Sequence, residues 1–376
     1  MAFEKPTVSP AKTAREFSLA NPHMLSIERA LLVINRNAGT GQADALTETL
    51  TLLFSRGLDR LSQVRVEQVS NHAGARACVA EFMSESEASA LVVAGGGGGT
   101  LRATIEGICD SSVSNELPGP QRVRVAALRM GSGNVLAKQL GVPRDPTVAL
   151  NGLLTNLKAG RTVPCCVMRC ETCTASGNSV VHHAVTLGGL GQFGRIPSDL
   201  ARWHTRFPNL HKTAARFGVE KFTNVEYAVS LLLRSISCIL TPDHAEAVEL
   251  QFQDKTERFQ LLSGVVMNFP IAALPFDPGV TVEDEVLSVY LVPLRGRFSP
   301  LRQLAAPKGL IPHTHRIRLE KNERLVIRFI DHECVEFFLD EDPVTTYKQL
   351  SLEVAGSLAF VPGLNYQQND HCGVIS

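Results

Sequence analysis

Residues 91–107 read LVVAGGGGGTLRATIEG. The uncharged, β-prone run Leu91–Ala94 ends in the glycines Gly95 to Gly99, and from Thr100 onward apolar residues recur at helical spacing. A strand that enters a helix through glycines leaves its backbone N–H groups free to approach a ligand that a Cβ would hold away. The start of the helix adds unpaired N–H groups and the positive end of its dipole. The same grammar recurs on either side: ALLVI (30–34) runs into NRNAGTG (35–41), and VRVAAL (123–128) runs into RMGSGN (129–134). In a parallel sheet such loops gather at the carboxyl edge of the strands, where open α/β folds bind ligands. The combination suits phosphate, and Arg36, Arg129 and Lys138 lie in or beside the loops as further positive charge.

Working outward, residues 29 to 145 alternate short apolar runs with stretches of helical spacing such as ADALTETLTLLF (43–54) and HAGARACVAEFM (72–83). This is the pattern of an α/β, Rossmann-like nucleotide domain. After about residue 160 the text changes to short alternating segments, among them CCVMRCETC, SVVHHAVTL, FQLLSGVVM, RLVIRF and LSLEVAG. These predict an all-β, antiparallel sandwich with two or three helices inserted between about 196 and 237. The breakers in VPRDP (142–146) and KAGRT (158–162) place the boundary between the halves. The expected division is a flexible extension over 1–28, a nucleotide-binding domain over 29–150, a β-rich substrate domain over 151–362 and a tail over 363–376.

The 376 residues carry 37 lysines and arginines against 37 aspartates and glutamates, so no global charge draws the chain to nucleic acid or to an anionic membrane. An odd count of nine cysteines in so long a chain points to reduced thiols and a cytoplasmic setting. The most apolar run, YAVSLLLRSISCIL (227–240), is broken by Arg234 and falls short of the roughly 20 residues that a membrane-spanning helix needs. Residues 1–28 contain Glu4, Glu16 and Glu28 and lack the apolar stretch of a secretory signal. Cys372 has four residues after it, one too many for a prenylation box. No Gly-Lys-Ser/Thr completes a P-loop. Gly95-x-Gly97 is followed by Thr100 where a dinucleotide-binding turn has its third glycine.

The motifs together resemble the diacylglycerol kinase catalytic-domain family, which includes sphingosine and ceramide kinases. VINRNAGTG (33–41) is similar to that family's I-N-P-x-x-G-x-G, with Asn35, Gly39 and Gly41 matching and Arg36 in place of proline. GGGGTLRATIEGI (96–108) resembles G-G-D-G-T-L-N-E-V-V-N-G-L, and RMGSGNVLAKQLGVP (129–143) resembles P-x-G-T/S-G-N-x-x-A-R-x-L-G-I-P. VEQVSNHAGARACVAEF looks like the second nucleotide-contacting strand and helix. LGGLGQFG, GVTVEDEVLSVYLV and FFLDEDPV are similar to the glycine-rich strand end, the D-G-x-L-D-V element and the D-G-E-P turn of its second half.

The resemblance implies a phosphofructokinase- or NAD-kinase-like N-terminal domain beside a β-sandwich, with ATP and Mg2+ in the cleft and phosphate passing to a lipid hydroxyl. The nucleotide would be met by Asn35, Arg36, Gly39, Thr40, Gly41, Ser70, Gly96, Gly97, Gly98, Gly99, Thr100, Gly131, Ser132, Gly133 and Asn134. The aspartate of G-G-D-G-T falls on Gly98, and glycine can neither hold a cation nor take a proton. Losing such a group costs about two to four powers of ten in rate. The carboxylates that could compensate are Asp342, at the motif's glutamate, with Asp340 and Glu341 beside it. Asp342 and Asp284 are the candidate magnesium ligands. Glu106 stands in place of an asparagine two turns into the helix and is expected to point past the phosphates.

Two readings follow: an ATP-dependent lipid kinase of low activity, or a catalytically silent nucleotide-binding relative that acts through a partner or a membrane surface. A third is a kinase of the NAD-kinase type, for which the β-rich half offers no recognisable substrate site. Val135 follows the spelling of the sphingosine-kinase branch, whereas Arg195 falls where a sphingoid ammonium would need an acid, which favours a neutral glycerolipid or ceramide-like acceptor. Residues 195–221 interleave Arg195, Arg202, Arg206, Lys212, Arg216 and Lys221 with Trp203, Phe207 and Phe217. This segment is the candidate peripheral membrane contact, against the alternative of a solvated helix face with buried aromatics. Nothing in the sequence excludes a homodimer. Cys166, Cys170 and Cys173 with His182 and His183 invite zinc, but on a strand Cys170 and Cys173 face opposite sides.

Overall fold

Arg29–Asn35 (β1), Gln63–Val69 (β2), Ala90–Gly96 (β3) and Val123–Arg129 (β4) form parallel strands in the order β2-β1-β3-β4. The computed structural model describes residues 27–38, 61–111, 117–131, 134–206, 245–271, 279–296 and 314–366, with isolated positions at 230, 233, 234, 236, 274 and 276. The expected extension up to residue 26, the helix over 43–54, Gly39, Thr40, Gly41, Ser132, Gly133 and residues 207–229 lie outside the described residues.

The strands form where the sequence is continuously apolar. Leu31, Leu32, Val33 and Ile34 of β1 and Leu91, Val92 and Val93 of β3 are buried on both faces, as in a sheet covered by helices on either side. Strand β2, at the edge, alternates and stays half-exposed. Helix α1 (His72–Ser84) starts at Asn71, whose side chain accepts from the Gly74 N–H at 2.8 Å, and buries Ala75, Val79, Phe82 and Met83 at helical spacing. Helix α2 (Gly98–Asp110) follows β3 and is buried from Thr100 to Cys109, polar residues included. Helix α3 (Val135–Gln139) follows β4. The breakers at 142–146 open helix α4 (Pro146–Lys158): Asp145 caps the Val148 N–H at 2.9 Å and Pro146 occupies the first turn.

The second half is antiparallel: β5 (Val163–Cys173), β6 (Ser179–Ala184), β7 (Leu187–Leu190), β8 (Glu246–Phe252), β9 (Lys255–Met267), β10 (Leu287–Pro293), β11 (His315–Leu319), β12 (Arg324–Phe329), β13 (Cys334–Leu339), β14 (Asp342–Tyr347) and β15 (Gln349–Phe360). The short helices α5 (Gly191–Gly194) and α6 (Ile196–Arg206) fall between β7 and β8. Cys166, Met168, Val248, Leu261, Val289, Ile327, Phe337 and Leu352 make a second apolar core, separate from the one around the parallel strands. The architecture is the α/β plus all-β class that the sequence implied.

Strand β15 belongs to both halves. Residues 349–354 pair antiparallel with β12 and β5, while Ala359 and Phe360 run parallel to β4 and become the fifth strand of the first sheet. The change of course falls at Gly356, where a bulge interrupts the pairing and φ is +128°. A side chain is strained in that conformation, so Gly356→Ala is expected to cost about 1–3 kcal/mol in chemical denaturation, although its Cβ would meet only the Leu117 side chain, at 3.4 Å.

Candidate functional site

In the order β2-β1-β3-β4 the strand order reverses beside β1, the place where open α/β sheets form a crevice at the carboxyl ends of their strands. The three glycine loops meet there. Met130 N–H and Gly131 N–H donate to the Gly96 carbonyl at 3.3 and 3.0 Å, tying the loop after β4 to the loop after β3. Asn35 Nδ2 donates to Thr100 Oγ1 at 3.1 Å, tying the loop after β1 to the first turn of α2. Gly97 and Gly131 are in main-chain contact: a Cβ on Gly131 would lie 2.8 Å from the Gly97 nitrogen. Above this floor stands the hairpin between β13 and β14. The cleft between them, about 670 Å³, is lined by Asn35, Asn37, Asn71, His72, Gly97, Gly98, Gly99, Thr100, Gly131, Glu341 and Asp342, with Ala38 and Met130 completing the wall.

The three acids of the hairpin have three different environments. Asp340, 1% exposed, turns away from the cleft: its carboxylate accepts the N–H groups of Val185 at 2.8 Å, Thr186 at 2.8 Å and Leu187 at 3.2 Å, and the Thr186 hydroxyl. Burial raises its pKa against the pull of those bonds. It clamps the hairpin to the strand entering β7 and has no face left for a ligand, which removes it from the catalytic candidates. Glu341 lines the cleft, and burial together with the charges of Asp340 and Asp342 pushes its carboxyl up to about 7. Asp342 lies against the first turn of α2: a Cβ on Gly99 would come within 2.6 Å of its Oδ2.

Behind Asp342 runs a network of charges. His72 Nδ1 is 3.1 Å from Asp342 Oδ2 and His72 Nε2 is 2.7 Å from Glu106 Oε2. The hydrogen bonds to Asp342 and Glu106 hold the imidazole proton up to about 9, so His72 is a cation bridging two carboxylates at neutral pH. Glu106, 1% exposed, also receives Arg102 Nε and Arg76 Nη1, each at 3.1 Å. Burial opposes its charge, but His182, His72 and Arg102 outweigh burial and keep it well below the usual carboxylate range. Glu106 thus stays out of the cleft, as expected, yet supports the residue that holds Asp342. Arg102 Nη2 meets His182 Nδ1 at 3.1 Å, at the edge of a second hollow of about 340 Å³ on the far side of the hairpin.

The remaining sequence candidates divide. Gly96 and Asn134 line a small cavity behind the cradle. Arg36 is paired with Gln68 at 2.7 Å, Ser70 contributes only its carbonyl, to Asn37 at 2.9 Å, and Arg129 points to the Val142 carbonyl at 3.3 Å, so none of these three side chains lines the cleft. Asp284 closes its own loop on the Thr281 N–H at 2.7 Å and is not with the other acids. Among the described residues no group of three or more histidines, cysteines or acids is placed to hold a metal; Cys170 is in the core and Cys173 on the opposite face. Arg195 is neutralised by the buried Glu246 at 3.0 Å, which removes the repulsion argued against an ammonium headgroup. In α6, Trp203 packs inward with Ile196 and Leu200 while Arg202 faces water, and the rest of the segment, 207–221, lies outside the described residues. No helix among the described residues is long and apolar enough to cross a membrane.

Residues 29–166 match the family model of the diacylglycerol kinase catalytic domain. That match spans β1 through the start of β5 and contains all three glycine loops. No curated protein matches the chain. A diacylglycerol kinase of Bacillus anthracis str. Sterne is similar in structure, with a TM-score of 0.55 and 15% identity over 90% of this chain and 98% of that one. Yeast NADH kinase, solved with NADH, is similar with a TM-score of 0.50 and 10% identity over 92% of this chain and 89% of that one. At such identities these likenesses speak for the fold alone.

Gly98, where the resemblance sets the motif's aspartate, is not a vacant slot. A Cβ there would lie 2.6 Å from the Asp340 carbonyl oxygen. Gly98→Ala is therefore expected to cost about 1–3 kcal/mol, read from denaturant midpoints. The residues that sequence reading passed over are His72, Arg76 and Arg102, and His182 was weighed there only as a zinc ligand. His72 carried a signal, since it opens a helix capped by Asn71 just after a parallel strand, where site residues collect. Because folding raises the His72 pKa from 6.5 to about 9, its stabilisation is complete below 6.5 and is lost as pH rises through about 9. Between pH ~7 and ~9.5 the wild type should lose denaturant stability more steeply than His72→Gln.

Proposed function

We propose that the protein is an ATP-dependent kinase that transfers the γ-phosphoryl group to a lipid hydroxyl of the diacylglycerol, ceramide or sphingoid type. The single observation that carries the reading is the convergence, in one cleft under an acidic hairpin, of the Gly97 to Gly99 backbone that opens α2 and the bare backbone of Gly131. Gly97 leads into α2 with no side-chain cap and with no acid in the first turn, so that helix end is open to an anion. In this reading the phosphates lie on that floor, the first half of the chain serves the nucleotide and the second half, from about residue 151, the lipid.

An anionic nucleotide tail beside Glu341 and Asp342 needs a cation between them. Magnesium, which takes one or two carboxylates and completes its shell with phosphate oxygens and water, fits this donor set, with Asp342 as its ligand. When bound it supplies charge neutralisation at the transferring group. The chain's own part is positioning. The His72 cation holds Asp342 through Nδ1, and Glu106 orients His72 through Nε2. Peripheral contact with a membrane through the segment 195–221 is part of the proposal, as the lipid acceptor must be reached at a surface.

Isothermal titration with magnesium and ATP should show binding in the wild type, weakened at least about tenfold in Gly131→Ala, whose methyl group meets the Gly97 backbone. Phosphate transfer from ATP to diacylglycerol, ceramide and sphingosine in mixed micelles identifies the acceptor, and NAD in the same panel addresses a soluble one. Binding of ATP without transfer to any acceptor would favour the silent, nucleotide-binding relative. Absence of ATP binding would end both readings.

A further inference from the structure

Glu341 stands where a side chain is disfavoured. It is the second central residue of the two-residue turn that joins β13 to β14, closed by the pairing of Leu339 with Asp342, and its φ is +73° after +48° at Asp340. Turns with two left-handed residues prefer glycine at this place, because a Cβ in that conformation costs about 1–2 kcal/mol. In the D-G-E-P motif that FFLDEDPV resembles, the position is glycine. The strain is not offset by any contact that would explain it: among the described residues the Glu341 carboxyl makes no hydrogen bond or ion pair. Both neighbouring acids are engaged, Asp340 by Val185, Thr186 and Leu187 and Asp342 by His72.

What Glu341 does occupy is the corner of the cleft above Gly98. Its Oε2 lies 3.5 Å from the point where a Cβ on Gly98 would stand. Gly98 itself cannot bear a side chain without displacing the Asp340 carbonyl, 2.6 Å from that point. The two positions are reciprocal. The motifs that the chain resembles place aspartate at 98 and glycine at 341; this chain has glycine at 98 and glutamate at 341, with the carboxyl delivered to the same corner from the hairpin side instead of the helix side.

We propose that Glu341 is the proton acceptor of the transfer reaction, its carboxylate serving the corner of the cleft that position 98 cannot serve with a side chain of its own. The inference rests on the kinase reading above. In the step, the O–H proton of the acceptor alcohol passes to a Glu341 carboxylate oxygen as the alcohol oxygen bonds to the γ-phosphorus of ATP. The bond from that phosphorus to the β,γ-bridging oxygen breaks, ADP leaves with the electron pair, and the proton is later released to water. Backbone strain retained at one residue that lines a reactive cleft and holds no structural partner among the described residues is the pattern of a position kept for chemistry rather than for stability.

The test compares the wild type with Glu341→Gln, which keeps size and removes the base, and with Glu341→Gly, which removes the side chain and relieves the turn. ATP affinity is measured by calorimetry, turnover at saturating ATP with the acceptor lipid panel, and the unfolding midpoint by heat. Both variants should lose at least ~10-fold, and typically ~10²–10⁴-fold, of turnover. Their ATP affinity should stay within ~3-fold of the wild type, and Glu341→Gly should unfold at a higher temperature than the wild type. Rising stability with falling turnover is a signature that a merely structural residue would not produce. Wild-type transfer reduced less than ~10-fold by Glu341→Gln would overturn the assignment and leave the kinase reading intact. A wild type that transfers phosphate to no acceptor would remove the kinase reading and this inference with it.

Discussion

The Asp340 carbonyl rests on the backbone of Gly98 with no room for a methyl group between them. This contact joins the two halves of the chain at the point where a helix begins and a hairpin turns. It is held in place by the side chain of the same residue, whose buried carboxylate collects the main-chain amides of Val185, Thr186 and Leu187. A buried carboxylate with several N–H donors is costly to disturb, since removing it would orphan all of them. The tip of the hairpin is therefore a rigid body pressed onto the glycine floor, and the position of every other group in the cleft follows from it.

From that anchor a line of alternating charge runs away from the cleft, from Asp342 through His72 to Glu106 and on to Arg76 and Arg102, with His182 hydrogen-bonded to Arg102. Each member is compensated by the next, which is how a helix as deeply buried as α2 can carry Arg102 and Glu106 in its interior. Such a network contributes more to placing its terminal member than to net stability. Here the terminal member is Asp342, and its carboxylate lies over the first turn of α2, where the helix dipole favours negative charge.

The floor itself is made of absence. Where Gly97 faces Gly131, two backbones approach within a distance that a side chain on Gly131 would prevent, and the same lack of side chains leaves the amides at the start of α2 open to an anion. Position 98 carries no side chain, while 341 carries one under backbone strain and brings its carboxyl beside that glycine, although the two segments are far apart in sequence.

By itself the sequence determined the strands, the helix starts and the fold class, because these depend on local pattern. Continuous apolar runs such as ALLVI and ALVVA must be buried on both faces, Asn71 and Asp145 announce their helices, and the glycines mark close approach. It also determined that three loops of one kind would share an edge, since parallel strands leave no other arrangement. Only the tertiary structure decided what each acid of Asp340-Glu341-Asp342 does. Consecutive residues in a tight turn point in unrelated directions, and their roles depend on partners more than a hundred residues away. Asp340 became a clamp because Val185 to Leu187 lie beneath it, and Asp342 became one end of a charge network because His72 lies beside it. His72, Arg102 and His182 were invisible as a set, for they are brought together by the packing of a helix against a distant hairpin, a relation that no local spacing records.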